Sequence, residues 1–303
     1  MKRFNRYIHL FFSFSLFLFL LVLMSCEEKI SIELNDMENE RIVVEGRITN
    51  ELKRHSIRLT RTASYFQNER VPPVLEAEVY LREEGSGTRF DLELVNDTFG
   101  IYETPEFEGR IGETYTIHIN YSGESYQASS YLDSVAEIDS LSYEYEFVSY
   151  ADQGFYKIRM SAYEPPPVGD VYMFNMYIND TLFNNALDNT PYSDDLLFDD
   201  TYMVNVEITW LPQEEIISDT NHILIEMFST SQEEYKFINA FITETYYSGS
   251  IFNGPPANIP SNLICTTGGI DGLGFFAASA VTRQEMILYK QHDDSTNNPD
   301  YER

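Results

Sequence analysis

The chain has 303 residues, 43% hydrophobic and 15% aromatic, which is too apolar for an acidic disordered polypeptide. Its 20 Lys+Arg stand against 49 Asp+Glu, a net charge of −29. Phosphate binding requires clustered Lys and Arg, so nucleic acid is excluded as a partner, and an anionic lipid surface is a poor one; cations and basic partners would be attracted.

The first segment reads MKRFNRY, with Lys2, Arg3 and Arg6 and no acid, followed by an apolar run from Ile8 to Met24. This is the positive-then-apolar layout of a secretory leader. A spanning helix needs about 20 apolar residues, and this run is shorter and diluted by His9, Ser13 and Ser15. Leu23-Met24-Ser25-Cys26 resembles the lipobox of bacterial lipoproteins. On that resemblance residues 1–25 are a signal peptide and Cys26 carries the lipid; the competing reading is an ordinary leader with a chance cysteine. Two or more acyl chains are needed for stable anchoring, at about 0.8 kcal/mol per buried CH₂. Residues 26–40 read as an acidic tether, in which Glu27 and Glu28 resemble the surface-export signal of Bacteroidota lipoproteins, against the plainer reading of solvated acidic residues. Removing residues 1–25 leaves 17 basic and 49 acidic side chains, a mature charge of −32.

Residues 41–132 carry seven short β patterns: RIVVEGRIT, HSIRLTRT, AEVYLREE, RFDLELV, GIYETP, ETYTIHINY and SYQASSYL. Several alternate with a period of two, and EEGSGT, NDTFG, EGRIGE and YSGE supply turns between them. The pattern predicts a mainly β protein that opens with an immunoglobulin-like or prealbumin-like β-sandwich. After a boundary at Asp133–Asp139, longer aromatic strands follow: IDSLSYEYEFVS, FYKIRMSAYE, VYMFNMYIND, YMVNVEITWL and HILIEMFST. Residues 180–200 read as a long polar loop. Residues 133–290 are thus expected to form a second β-sandwich-like domain carrying one amphipathic helix at 231–248. Ser231 with Glu234 forms its capping box, Tyr235, Ile238, Ile242 and Tyr246 follow at helical spacing, Phe237 and Phe241 widen the face, and Gly249 ends it. NGPPANIPSN is a proline-rich loop, GGIDGLGFFAASAVTRQEMIL a glycine-rich turn with two strands, and residues 291–303 a disordered tail.

Catalytic patterns are missing: there is no HExxH and no GxSxG. GGIDGLG is followed by a strand pattern, where dinucleotide binding requires a helix, so its glycines are read as permitting tight turns or close backbone approach. Of His55, His118, His222 and His292, none has a metal partner at short spacing, and no metal is expected. The weak exception is a Ca²⁺ loop from Asp194, Asp195, Asp199 and Asp200, which lacks the EF-hand spacing; Asp293, Ser295 and Asn297 are weaker still. With Cys26 consumed, Cys265 is left alone among apolar neighbours as a small buried hydrophobe. Paired carboxylates are abundant, so a glycosidase-like pair about 5–10 Å apart stays open. Trp210, Tyr246, Tyr247, Phe252 and Phe276, with Gly272 and Gly274 in the neighbouring loop, are the candidates for a partner or ligand surface.

RIVVEGRITNE, HSIRLTRTASYF with PVLEAEVYLRE, GIYETP, GETYTIHI and PSNL…GGIDGLGFFAAS are together similar to the Bacteroidota lipoproteins of domain-of-unknown-function family 4249, over about Cys26 to Leu288. The resemblance implies an outer-membrane lipoprotein encoded near TonB-dependent receptor-like barrels and supplies no catalytic residues. The resulting expectation is a non-enzymatic, surface-facing accessory or binding subunit of such a barrel, with no cofactor beyond the lipid on Cys26. The alternatives are a free-standing adhesin or glycan- or peptide-binding lipoprotein, and a carboxylate-pair hydrolase.

Overall fold

The computed structural model describes residues 40–63, 70–184, 190–194, 200–246 and 259–291. The leader, Leu23, Met24, Ser25, Cys26, Glu27, Glu28, Asp195, Asp199, Tyr247, Phe252, His292 and the tail after it lie outside the described residues.

Period-two alternation builds the first eight strands. They are β1 (Ile42–Thr49), β2 (Ser56–Arg61), β3 (Glu78–Glu83), β4 (Arg89–Asp91), β5 (Glu93–Asn96), β6 (Ile101–Glu103), β7 (Thr114–Tyr121) and β8 (Glu124–Tyr131). Along β1, Ile42, Val44 and Ile48 are buried while Val43, Glu45 and Arg47 face the other way. The next strands are β9 (Ile138–Val148), β10 (Gln153–Glu164), β11 (Val171–Ile178), β12 (Thr181–Leu182), β13 (Tyr192–Asp194), β14 (Thr201–Pro212) and β15 (Thr220–Thr230). Helix α1 (Gln232–Thr245) follows, then β16 (Ile264–Cys265), β17 (Leu273–Ser279) and β18 (Val281–Tyr289).

Among the described residues, four sheets enclose two hydrophobic cores. The sheets β17-β1-β2-β6-β5 and β16-β8-β7-β3-β4 face each other across the first, where Tyr115, Ile117, Ile119, Leu132 and Phe276 are fully buried. The sheets β14-β10-β9 and β12-β11-β15-β18, with β13 also on β11, enclose the second around Tyr156, Ile158, Ile223, Ile225 and Met227. The architecture is mainly β and sandwich-like, as the strand patterns predict.

Strand membership differs from chain order in three places. Leu263–Ala280, expected in the second domain, completes the first core: β16 pairs with β8 and β17 pairs in parallel with β1. A parallel pairing needs a long crossover, here the whole second core, so sequence neighbourhood misleads. RFDLELV, read as one strand, changes sheet at Leu92, whose N–H donates to the Val79 carbonyl; β4 then pairs with β3, and β5 with β6. The expected polar loop at 180–200 contains β12 and β13, both on β11.

Polar groups sew the cores together. Ser229 Oγ donates to the Asp133 carbonyl at 2.9 Å and accepts from Ala280 N at 2.8 Å, and Asn50 Oδ1 accepts from Val281 N at 2.8 Å. Arg283 bridges Glu226 on β15 and Glu51 just past β1. Burial alone would raise the Glu51 carboxyl, but hydrogen bonds and charge from Arg283 and Lys53 hold it at about 2.

His55, in the turn before β2, is 1% exposed. Its Nε2–H donates to the Phe107 carbonyl at 3.2 Å, Nδ1 accepts from Thr49 N, and the ring lies edge-on to Phe107. Burial pushes its pKa down from 6.5 to about 4, against the pull of the Phe107 carbonyl. Between those values the unfolded chain binds the proton and the fold does not. The contribution, about 3 kcal/mol, is therefore full above pH 6.5 and lost as pH falls towards 4. Urea midpoints at pH 7 and pH 4.5 check this: His55→Gln should lose less stability on acidification than the wild type, and an equal loss in both would contradict the assignment.

Candidate functional site

The ladder that buries Phe276 turns Phe275 outward. In the parallel register Val43 meets Leu273, Glu45 meets Phe275 and Arg47 meets Ala277, so the outer face of β1 and β17 is an apolar strip with two charges. Ser56 and Arg58 of β2 and Ile101 of β6 extend it. Helix α1 lies along this face. Ser231 caps it by accepting from Glu234 N at 3.1 Å, and Glu233 and Glu234 place acid in the first turn. Phe237 and Phe241, one turn apart, face the sheet, with Phe237 5.4 Å from Phe275 and Ile238 buried beneath. Between helix and sheet lies an open groove of about 830 Å³, with Ile259 on its wall.

The charges in this groove are paired. Glu234 is not returned to its own helix end as a reciprocal capping box would have it; its carboxylate takes both terminal nitrogens of Arg47. Arg47 also donates to Ser279 Oγ, touches Met173 Sδ at 3.5 Å and stands 5.4 Å from the Phe228 ring centre. It thereby ties β1 and β17 to β11, β15 and α1. On β2, Arg58 holds Glu45 at 3.1 Å. Tyr192 of β13 packs 6.3 Å from Tyr235, and its buried hydroxyl has no hydrogen-bond partner among the described residues. Among the described residues, each carboxylate lining the groove, Glu45 and Glu234, already has a guanidinium. The groove offers apolar and aromatic contact with its charges closed in pairs, a surface for binding more than for proton transfer.

The expected partner-surface residues that are described do not come together here. Phe276 is fully buried: a Phe-Phe pair on a strand must split between faces, and Phe275 is the one turned out. Gly274 lines the groove through its backbone and Gly272 packs beside Leu263; both serve structure, as close approach of the chain requires. Gly274 has φ +81° and an added Cβ would lie 2.0 Å from the Val44 carbonyl oxygen. The neighbouring PSNL residues form a clasp. Asn262 donates to the Phe276 carbonyl at 2.7 Å and accepts from Phe276 N at 3.0 Å, replacing a missing strand at the free edge of β17. Ser261 Oγ donates to the Gly274 carbonyl, and the Asp271 carboxylate accepts from Cys265 N. Tyr246 is exposed at the C-terminus of α1, while Trp210 lies on β14 in another sheet.

Other candidates fall elsewhere. Asp194 sits on β13 and Asp200 accepts from Tyr163. Among the described residues no three His, Cys, Asp or Glu are grouped to hold a metal. His118 stacks on Tyr80 at 4.6 Å, His222 contacts Glu285 at 3.0 Å, and Cys265 is buried. In the sequence Phe237 and Phe241 read only as widening the apolar face of the helix and Phe275 only as part of a strand; the i, i+4 aromatic pair is the available signal.

Residues 27–285 match the family described as Domain of unknown function (DUF4249), and the chain belongs to it. No curated protein matches the chain. Among solved structures, it is similar to the pullulanase from Anoxybacillus sp. LM18-11 complexed with maltotriose at 12% identity and a TM-score of 0.20. That likeness covers 62% of this chain and 24% of the other, and it carries no argument.

Proposed function

We propose that this member of the DUF4249 family is a lipid-anchored, non-enzymatic binding protein of the bacterial outer membrane, displayed outward as an accessory subunit of a TonB-dependent transporter-like barrel. The observation that carries the reading is the groove between α1 and the outer face of β1 and β17, apolar and aromatic, with its four charges closed in two pairs. Such a surface accepts an apolar segment or ligand without leaving a charge unpaired. The lipobox at Leu23–Cys26 supports the anchor, and Glu27 and Glu28 support the outward display.

Two variants test it. Cys26→Ser should abolish incorporation of labelled palmitate and release the protein from the membrane fraction. Phe241→Asp should leave the circular dichroism spectrum unchanged and lower recovery of the barrel with the tagged protein about tenfold, the scale of losing one central apolar anchor. Unchanged recovery with Phe241→Asp would remove the groove from the interface; palmitate on Cys26→Ser would remove the anchor.

A further inference from the structure

We infer a second binding site, independent of the groove: the outward face of the sheet β14-β10-β9 is a platform for a neutral oligosaccharide chain. Along β10, Tyr156, Ile158 and Met160 point into the second core, so Phe155, Lys157, Arg159 and Tyr163 point away from it. One diagonal aromatic contact and one cross-strand aromatic pair lie at the two ends of this face. Phe155 and Trp210 lie 5.7 Å apart at one end, and Tyr163 stands opposite Tyr202 at the other. Trp210, Tyr163 and Tyr202 are 37%, 47% and 51% exposed. Eight residues along β10 separate the pairs, about 26 Å at about 3.3 Å per residue. That is the reach of a short oligosaccharide.

The charges between the pairs select the ligand. Lys157 holds Glu146 and lies over one face of the Trp210 ring, its ammonium 4.5 Å from the ring centre, and Arg159 holds Glu144; both carboxylates are on β9. The indole N–H of Trp210 donates to Glu207, and the Tyr163 hydroxyl to Asp200. An ionic ligand must break these pairs, whereas sugar hydroxyls can donate to the carboxylates and accept from the cations with the pairs intact. The apolar C–H face of a pyranose ring packs on an aromatic ring by burying apolar surface and setting its C–H groups against the ring's negative face. A lone charged or apolar face would satisfy only half of this description.

Trp210 is the only tryptophan in the 303-residue chain, so emission excited selectively at tryptophan, away from the 22 tyrosines, reports on this face alone. The full mature chain in detergent should be titrated with cellohexaose, mannohexaose and chitohexaose, with oligogalacturonate as the acidic control. The platform predicts a saturating change in Trp210 emission with at least one neutral hexasaccharide, with Kd on the order of 1 mM or tighter. Tyr202→Ala should keep the reporter and the fold and weaken binding about tenfold. For Trp210→Ala, calorimetry replaces fluorescence and should show the same loss. No response to any neutral hexasaccharide, a response to oligogalacturonate alone, or binding unaffected by Tyr202→Ala would each overturn the inference. None of these outcomes depends on the barrel or on the groove.

Discussion

Gly274→Ala is expected to destabilise the protein by about 3 kcal/mol or more. The substituent meets the Val44 carbonyl oxygen at 2.0 Å, and Val44 is the residue that Gly274 faces in the parallel ladder. The cost has two parts: the left-handed backbone, about 1–2 kcal/mol for a residue with a Cβ, and forced separation of packed strands, about 1–3 kcal/mol. For a unit of this size the loss corresponds to roughly 6–12 °C in Tm. Gly123→Ala separates the two parts. Gly123 has φ +83° with nothing within 4 Å of its added Cβ, so only the backbone cost applies. Thermal melts of both variants check the account. Equal shifts would show that β1 and β17 do not approach as closely as the structure has them.

Breaking the Arg47–Glu234 pair should rank next. The Glu234 side chain is 6% exposed and that of Arg47 is 21% exposed, so Glu234→Ala leaves a guanidinium without its carboxylate in a mostly buried setting. Removing one partner of a fully buried pair costs about 3–5 kcal/mol; partial exposure of Arg47 and its bond to Ser279 reduce this to about 2–4 kcal/mol. Replacing both, as Arg47→Met with Glu234→Leu, should recover most of the loss, since well-packed apolar residues substitute for buried ions. A urea-denaturation double-mutant cycle built from Arg47→Met, Glu234→Leu and the two combined gives the coupling directly. A double variant no more stable than Glu234→Ala alone would contradict the pairing as the source of the loss. The pair also fixes the first turn of α1 against β1, so these variants should widen the groove and weaken whatever it holds.

Much of this fold was legible because alternation is a local signal. Ile42, Val44 and Ile48 show their inward face without any partner in view, and Ser231 with Glu234 marks the start of α1 within one residue. What the local signal lacks is the partner. Nothing in GLGFFAAS says that it returns across the whole second core to lie beside RIVVEGRIT, and so nothing says which of Phe275 and Phe276 faces out. Asn262 was unreadable for the same reason: it substitutes for a strand that is absent. The groove inherits both obscurities, being formed by the outer face of a parallel pair and a helix expected only to pack on a sheet. Trp210 was recognisable as unusual, but its platform depends on the register of β10 and β14, including its irregularities at Ile158/Arg159 and Met160/Ala162.

Capture of the tagged, lipidated protein from outer membranes solubilised in mild detergent, with partners identified by mass spectrometry, decides whether it is an accessory subunit of a barrel. The proposal predicts a TonB-dependent transporter-like barrel recovered in one-to-one stoichiometry. Recovery of the lipoprotein alone would contradict it and leave an independent binder, with the groove and the aromatic platform as its candidate sites.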